Sequence, residues 1–345
     1  TNKGRLSSYA YQYRTWNVQQ QLTWNWTFTD KHNVDVLLGH ENYGYWMKYT
    51  YGMKTGMNVP GNNFTLGNFA TVSSLTGYDD NDRSESYLAR LNYNFDTTYF
   101  LSASYRRDGS SRFHPDNRWG DFFSFGGRWN AKREAFLEDI DWINSLSLRA
   151  SYGEVGNDRL GGTRRYYYLP NTYNLNQSGY YLGTSNGSNK NPYFYGATEG
   201  VLGNPDITWE RSRKYDVGLE TKFFNNKLSA DFDYFYEKRD NILTTLGIIP
   251  GIYGVPGSAV PPANVGITEN QGYELVLNWS DKIGDLTYTI GGDLSWTRNK
   301  IIYKAEANNP YPWMNATGHA IGQRFGLVSD GLFNTPEELA NRPYN

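Results

Sequence analysis

The chain contains no cysteine, and only 4 methionines and 4 histidines among its 345 residues. The missing cysteines exclude disulfide frameworks and thiolate metal sites together. They leave the compartment open, because an oxidising one permits disulfides without requiring them. The histidines, His32, His40, His114 and His319, are scattered, and no pair has the spacing of metal ligands. They read as turn, wall and loop residues, and no metal, cofactor or catalytic constellation is expected. An excess of one charge is also missing: 33 Lys and Arg face 35 Asp and Glu, a formal net charge of -2. A nucleic-acid partner would leave a basic excess, so none is expected. Long apolar runs are absent as well, with 38% hydrophobic residues and a mean hydropathy of -0.71. Nothing approaches the roughly 18 consecutive apolar residues of a membrane helix. A membrane barrel survives that exclusion, since only alternate residues of each strand meet lipid.

Aromatic residues are what the chain has in plenty: 30 Tyr, 17 Phe and 11 Trp. Tyr and Trp join an apolar body to a polar tip, which suits a membrane interface and also suits stacking on sugars. Their arrangement is two-periodic. From Trp16 to Thr29 the even positions are Trp16, Val18, Gln20, Leu22, Trp24, Trp26 and Phe28, while the odd ones are Asn, Gln and Thr. Strand side chains alternate between faces, so this segment has one aromatic and one polar face. Nine further strands are expected at about 33–47, 83–95, 98–107, 119–130, 145–154, 207–223, 228–239, 271–281 and 285–300, with a helical turn in the connector 131–144. Loops are expected at about 48–82, 108–118, 155–206 and 240–270, and from about 301. Connections after odd-numbered strands are compact and those after even-numbered strands longer. An up-and-down barrel then carries every long loop at one end, as outer-membrane barrels do. The fold class expected is all-β, a transmembrane up-and-down antiparallel β-barrel, with apolar rows toward lipid and Arg90, Arg149, Asp231, Asp233 and Glu274 toward the lumen.

Specific runs narrow this further. Ser86-Tyr87-Leu88-Ala89-Arg90-Leu91-Asn92-Tyr93, followed by Tyr99-Phe100-Leu101-Ser102-Ala103-Ser104-Tyr105 and then Arg106, Arg107, Asp108, Gly109, Ser110, Ser111, Arg112 and Phe113, closely resembles the barrel signature of SusC/RagA-type TonB-dependent transporters. So do Asn117-Arg118-Trp119-Gly120, Leu148 to Gly153 with Gly156-Asn157, Asn204-Pro205 with Trp209-Glu210, Asn264-Val265-Gly266, Asn270 to Leu275, and Gly322 to Gly331. The matches keep the family's order over roughly 83–331. The resemblance implies an outer-membrane importer of the Bacteroidetes type, with a barrel of about 22 strands around a plug. It implies a SusD-like surface lipoprotein as lid, energy from a TonB complex acting through the plug, and a glycan or peptide as substrate. Nothing here matches a plug, a TonB box or closing strands. No signal segment opens the chain and both ends read as loop, so residues 1–345 are expected to be part of one larger barrel domain.

The candidate substrate-binding residues are loop aromatics, Tyr166, Tyr167, Tyr168, Tyr193 and Tyr195 in the longest loop with Tyr253 and Trp313 in others, which could stack on sugars or instead pack the loops together. Asp79, Asp80 and Asp82 with Asn81 could ligate calcium, but the glycine of a dedicated loop is missing at the needed spacing, and an exposed acidic loop is expected. Gly109-Ser110-Ser111 among arginines resembles an anion-binding turn. A structural role is favoured there, with Asp108 pairing with the arginines. Active import of a large nutrient, most simply an oligosaccharide, is the leading reading. A peptide importer, an outer-membrane hydrolase and an adhesin are the alternatives.

Overall fold

The computed structural model describes residues 4–61, 64–159, 165–170, 173–181, 193–247, 259–307, 309–326, 328–329, 331–332 and 335–341, without the side chains of 173–181, 193–195, 198, 199 and 339. Its ten-stranded antiparallel sheet is built from β1 (Arg5–Phe28), β2 (His32–Met57), β3 (Phe69–Phe95), β4 (Tyr99–Ser110), β5 (Trp119–Asn130), β6 (Ile143–Asn157), β9 (Glu210–Phe223), β10 (Leu228–Thr244), β11 (Ala263–Ile283) and β12 (Leu286–Tyr303). These strands pair in chain order. A separate hairpin, β7 (Tyr173–Tyr181) with β8 (Tyr193–Glu199), interrupts the longest loop. Among the described residues β1 and β12 are each paired on one side only, so the wall is an open sheet.

All ten expected strands are present, and their lengths are the main correction. The segment 48–82, expected as loop, is largely strand: β2 runs on to Met57 and β3 begins at Phe69. Likewise β11 begins at Ala263 and β10 reaches Thr244. The helical turn of the 131–144 connector is found at Ala135–Glu138, where the Lys132 ammonium donates to the carbonyls of Leu137, Glu138 and Ile140, each at 2.9 Å.

The register explains why the two faces differ. One row of paired residues crosses the whole sheet: Trp26, Val34, Tyr93, Leu101, Gly127, Ala150, Val217, Tyr234, Tyr273 and Trp296. It carries no charge. The neighbouring row, on the opposite face, reads Asn25, Asp35, Asn92, Ser102, Gly126, Ser151 and Asp216 over the first seven strands. In water the first face would be an aggregation hazard, with Leu22 66% and Ile290 68% exposed. Lipid supplies the missing cover. The ten residue steps from Trp16 to Trp26 rise about 33 Å along the strand. With a tilt of about 40° this becomes about 25 Å, the height of an outer-membrane barrel's apolar band.

Two of the tight turns on one edge of that band carry a left-handed pair. Thr29 and Asp30 have φ of 53° and 56°, and Asp96 and Thr97 have 48° and 53°. Two successive positive φ values give the primed turn whose twist matches the strands it joins. The Asn94 side chain holds the second turn by accepting from the Thr97 amide at 2.9 Å.

Candidate functional site

The opposite end of the sheet gathers the loops, and the signature run organises them. Arg106 donates to both carboxylate oxygens of Asp108, at 2.7 and 2.9 Å. Arg107 lies over the Trp119 ring, its guanidinium carbon 5.3 Å from the ring centre. Ser110 is fully buried and donates to Asp158 at 2.8 Å. Ser111 accepts from the Arg83 amide at 3.0 Å and lies 3.2 Å from Asp82. Arg112 reaches Asp82 through two nitrogens and the Asp158 carbonyl at 3.2 Å. Asp108 thus pairs with Arg106, while Arg107 approaches Asp121 and Arg112 takes Asp82.

Phe113 is buried in a small core with Phe122, Ile207 and Trp209, against which Tyr167 and Leu243 pack. This core lies on the lumenal face, because Phe122 has the parity opposite to the lipid-facing Phe123 and Phe125. Gly156 lets the Phe122 ring lie flat on the sheet, since a Cβ there would fall 2.0 Å from the ring. The asparagines of the signature tie loops to one another. Asn117 donates to the Pro205 carbonyl at 2.9 Å, and Asn204 to that of Pro262 at 3.1 Å. Asn264 accepts from the Thr208 amide and donates to the Thr208 and Asn241 carbonyls. Glu210 accepts from Asn157 at 2.8 Å and from the Leu243 amide at 3.1 Å. The signature therefore encodes loop fasteners.

The acidic run 79–82 is not an exposed loop. It belongs to β3, where Asp82 is buried and bound by Arg112 and Arg165, and Asp80 by Arg165. A strand turns adjacent side chains to opposite faces, so Asp80 and Asp82 point inward and Asp79 does not. Among the described residues no group of three or more His, Cys, Asp or Glu is placed to hold a metal ion.

Of the candidate aromatics, the Tyr166 hydroxyl donates to the backbone carbonyl of Asn81 and to its side chain, the latter at 3.0 Å. Burial pushes that hydroxyl's pKa up, which keeps it a donor. Tyr168 sets its ring edge-on to His114, 5.8 Å away. Trp313 stacks on Tyr311 at 4.6 Å and stays 66% exposed. Tyr166, Tyr167 and Tyr168 come together with the fasteners, and Trp313 lies apart from them. Tyr253 and the side chains of Tyr193 and Tyr195 lie outside the described residues.

Along the lumenal wall, Arg149 contacts Asp216 at 3.1 Å, Glu220 at 3.4 Å and also Asp233. Arg128 binds Glu220 at 2.8 Å, and Arg90 lies 4.0 Å from Asp35. Asp231, Asp233 and Glu274 share that face by register.

One feature escaped the sequence reading. Above Trp16 the aromatic parity reverses without a bulge, and Tyr9, Tyr11 and Tyr13 fall on the lumenal side of β1. They meet Tyr45, Tyr49 and Tyr51 of β2, and Tyr49 meets Tyr78 of β3. The Y-x-Y-x-Y spacing is visible in the sequence, but the apolar-polar alternation that marks β1 begins at Trp16, and 48–82 carries no such alternation.

The family profile described as TonB dependent receptor-like, beta-barrel matches residues 1–339. The TonB-dependent receptor P39 of Formosa agariphila is 28% identical over 337 residues, 93% of this chain and 30% of the relative. The TonB-dependent receptor SusC of Bacteroides thetaiotaomicron is 30% identical over 236 residues, 67% of this chain and 22% of the relative. Among solved structures, the RagAB peptide transporter superposes with a TM-score of 0.71 at 25% identity, over 86% of this chain and 31% of that one. The chain thus spans about a third or less of the length of these relatives.

Proposed function

Because the chain belongs to the TonB-dependent receptor-like β-barrel family, we propose that it supplies ten strands of the wall of an active importer in the bacterial outer membrane. The importer takes up a nutrient too large for passive pores, most simply an oligosaccharide. Further wall strands and a plug come from sequence beyond these ten strands, and TonB acts through that plug. A SusD-like surface lipoprotein closes over the loop end as a lid, and the loop aromatics Tyr166, Tyr167, Tyr168, Tyr193, Tyr195, Tyr253 and Trp313 contribute to substrate contact. The observation that carries the reading is the sheet itself. An uncharged row for lipid crosses it, a polar wall bearing Arg128, Arg149, Asp216 and Asp233 backs it, and the large loops lie at one end.

A peptide importer of the same family is the nearest rival, supported by the likeness to the RagAB peptide transporter. A hydrolase is disfavoured by the loop-end carboxylates. Asp80, Asp82 and Asp158 are each engaged by arginine rather than held free for acid/base work. An adhesin needs neither plug nor energy. Deleting the gene and feeding cells fluorescent oligosaccharides and peptides decides among these. Import predicts that one polymer class is no longer taken up, and that a protonophore mimics the deletion. Unchanged uptake of every class would sink the importer reading.

A further inference from the structure

Above the lipid band a bank of tyrosines lines the lumenal side of the β1–β2 hairpin. On the lumenal side of β1 the residues from Ser7 to Thr15 are Ser7, Tyr9, Tyr11, Tyr13 and Thr15, and their neighbours on β2 are Met53, Tyr51, Tyr49, Met47 and Tyr45. None of these is charged, and the bank is bounded at Tyr45, whose ring lies 4.7 Å under the guanidinium of Arg165, itself ion-paired with Asp80 and Asp82. The opposite face of the same stretch carries Gln12, Arg14 and Lys48, so this part of the hairpin stands in water. Tyr9, Tyr11 and Tyr13 are 57%, 50% and 61% exposed. Rings two positions apart lie nearly parallel, Tyr11 on Tyr13 at 5.9 Å and 4°, Tyr49 on Tyr51 at 6.4 Å and 7°. Across the strands Tyr9 meets Tyr51 and Tyr11 meets Tyr49, both at 4.9 Å. The outcome is a double file of rings.

Charge and shape select the occupant. An uncharged, polyhydroxylated chain complements an uncharged bank whose side chains have apolar bodies and polar tips. A pyranose offers a C–H face to a ring and hydroxyls to its rim, and repeats along a chain as the rings repeat along a strand. An extended peptide is read through backbone hydrogen bonds and side-chain pockets, whereas the β2 backbone is already engaged by β1 and β3. Farther down the same face come Asn17 and Gln19, whose amides both donate to Glu41, at 2.9 and 3.0 Å. Rings are thus followed by hydrogen-bonding groups toward the lumen.

We propose that Tyr9, Tyr11, Tyr13, Tyr49 and Tyr51 form a stacking track that guides a neutral oligosaccharide from the loop end into the barrel. The proposal rests on the importer reading and names its substrate class. The test uses the full-length transporter, purified and in cells, with neutral gluco-, manno- and xylo-oligosaccharides and a tryptic peptide mixture as probes. Replacing Tyr11 and Tyr49 together by Ala should weaken binding of one oligosaccharide class about tenfold, taking each ring as one stacking contact, and slow its uptake. The pair Tyr11→Phe and Tyr49→Phe keeps the rings and should stay within about threefold, as should Gln12→Ala on the opposite face. Heat-modifiable migration of each variant reports a folded barrel. Unchanged sugar binding in the double Ala variant overturns the track while leaving import intact. Binding of peptides but of no neutral oligosaccharide by the wild type also overturns it, as does loss of lid co-purification with sugar binding unchanged. Failure of the importer reading shows separately, as uptake indifferent to gene deletion.

Discussion

At the scale of single residues, Asp82 ties three loop-end side chains together. It accepts from Arg112, Arg165 and Ser111, and its side chain is only 10% exposed. Replacing it by Asn keeps the shape but leaves two guanidinium groups without their shared anion. Removing one partner of a buried pair costs about 3 kcal/mol, which is about a hundredfold in a local opening equilibrium. Hydrogen exchange at the Ser111 and Phe113 amides should accelerate by that factor in Asp82→Asn. Asp79→Asn, an exposed neighbour on the other face, should change nothing, and equal effects from both would refute the assignment. A second residue gives a pH signature. Glu306 accepts from the Ala316 amide at 2.7 Å and from the Thr317 amide and hydroxyl at 2.8 and 2.6 Å. The Thr317 hydroxyl leads in holding its pKa below the ordinary carboxylate value. A depressed carboxylate contributes stability above its unfolded pKa and loses it as pH falls through the folded one. The 306–317 loop should therefore loosen only on acidification below the usual carboxylate range. Amide exchange at Ala316 and Thr317, corrected for its intrinsic pH dependence, reads this out, and Glu306→Gln should abolish the pH dependence.

At the scale of elements, the test of the face assignment is a pair of adjacent residues. Leu22 lies midway between Trp16 and Phe28 on the apolar side of β1, and Gln21 is its neighbour on the polar side. Arginine at a lipid-facing midplane position costs about 2–4 kcal/mol, whereas lumenal positions tolerate it. Leu22→Arg should lower the folding stability of the refolded full-length barrel by that amount, and Gln21→Arg should leave it nearly unchanged; the reverse order would invert the wall. This alternation was legible in the sequence because lipid and lumen impose it residue by residue. Strand ends were not. Beyond the band a strand needs no apolar face toward lipid, so the aromatic parity of Ser7 to Thr15 is the reverse of that below, and Tyr49 to Met57 lack the pattern that marks a strand there. Loop length was a partial guide too: the connector 131–142 is longer than the loop 111–118 at the opposite end. The fasteners were visible as a signature, but their partners could not be read. Asp82 with Arg112, Asn204 with Pro262 and Asn264 with Thr208 are joined by topology rather than by spacing.

At the scale of the whole wall, the position of the apolar band gives the strand tilt. The uncharged row that crosses the ten strands meets β1 at Trp26, two residues from the turn that follows Phe28. It meets β12 at Trp296, ten residues beyond the turn that precedes Leu286. Below Trp26 little apolar surface remains on β1, and above Trp296 the same face of β12 turns to Arg298 and Lys300. If the short turns mark one edge of the bilayer, the band slides about eight residues, about 26 Å, along the strands. It does so over nine strand-to-strand steps of about 4.8 Å, about 43 Å in all. The ratio corresponds to an inclination of about 31°, near the 35–45° of outer-membrane barrels. Residues that are hydrogen-bonded neighbours along one row must therefore lie at different depths. Spin labels at Trp26, Ala150 and Trp296, placed one at a time in the full-length protein in lipid, test this. Relative accessibility to oxygen and to a polar nickel reagent should put Trp26 near the short-turn interface, Ala150 near the centre and Trp296 near the loop interface. Three equal depths would mean strands parallel to the membrane normal, a geometry that cannot close into a barrel.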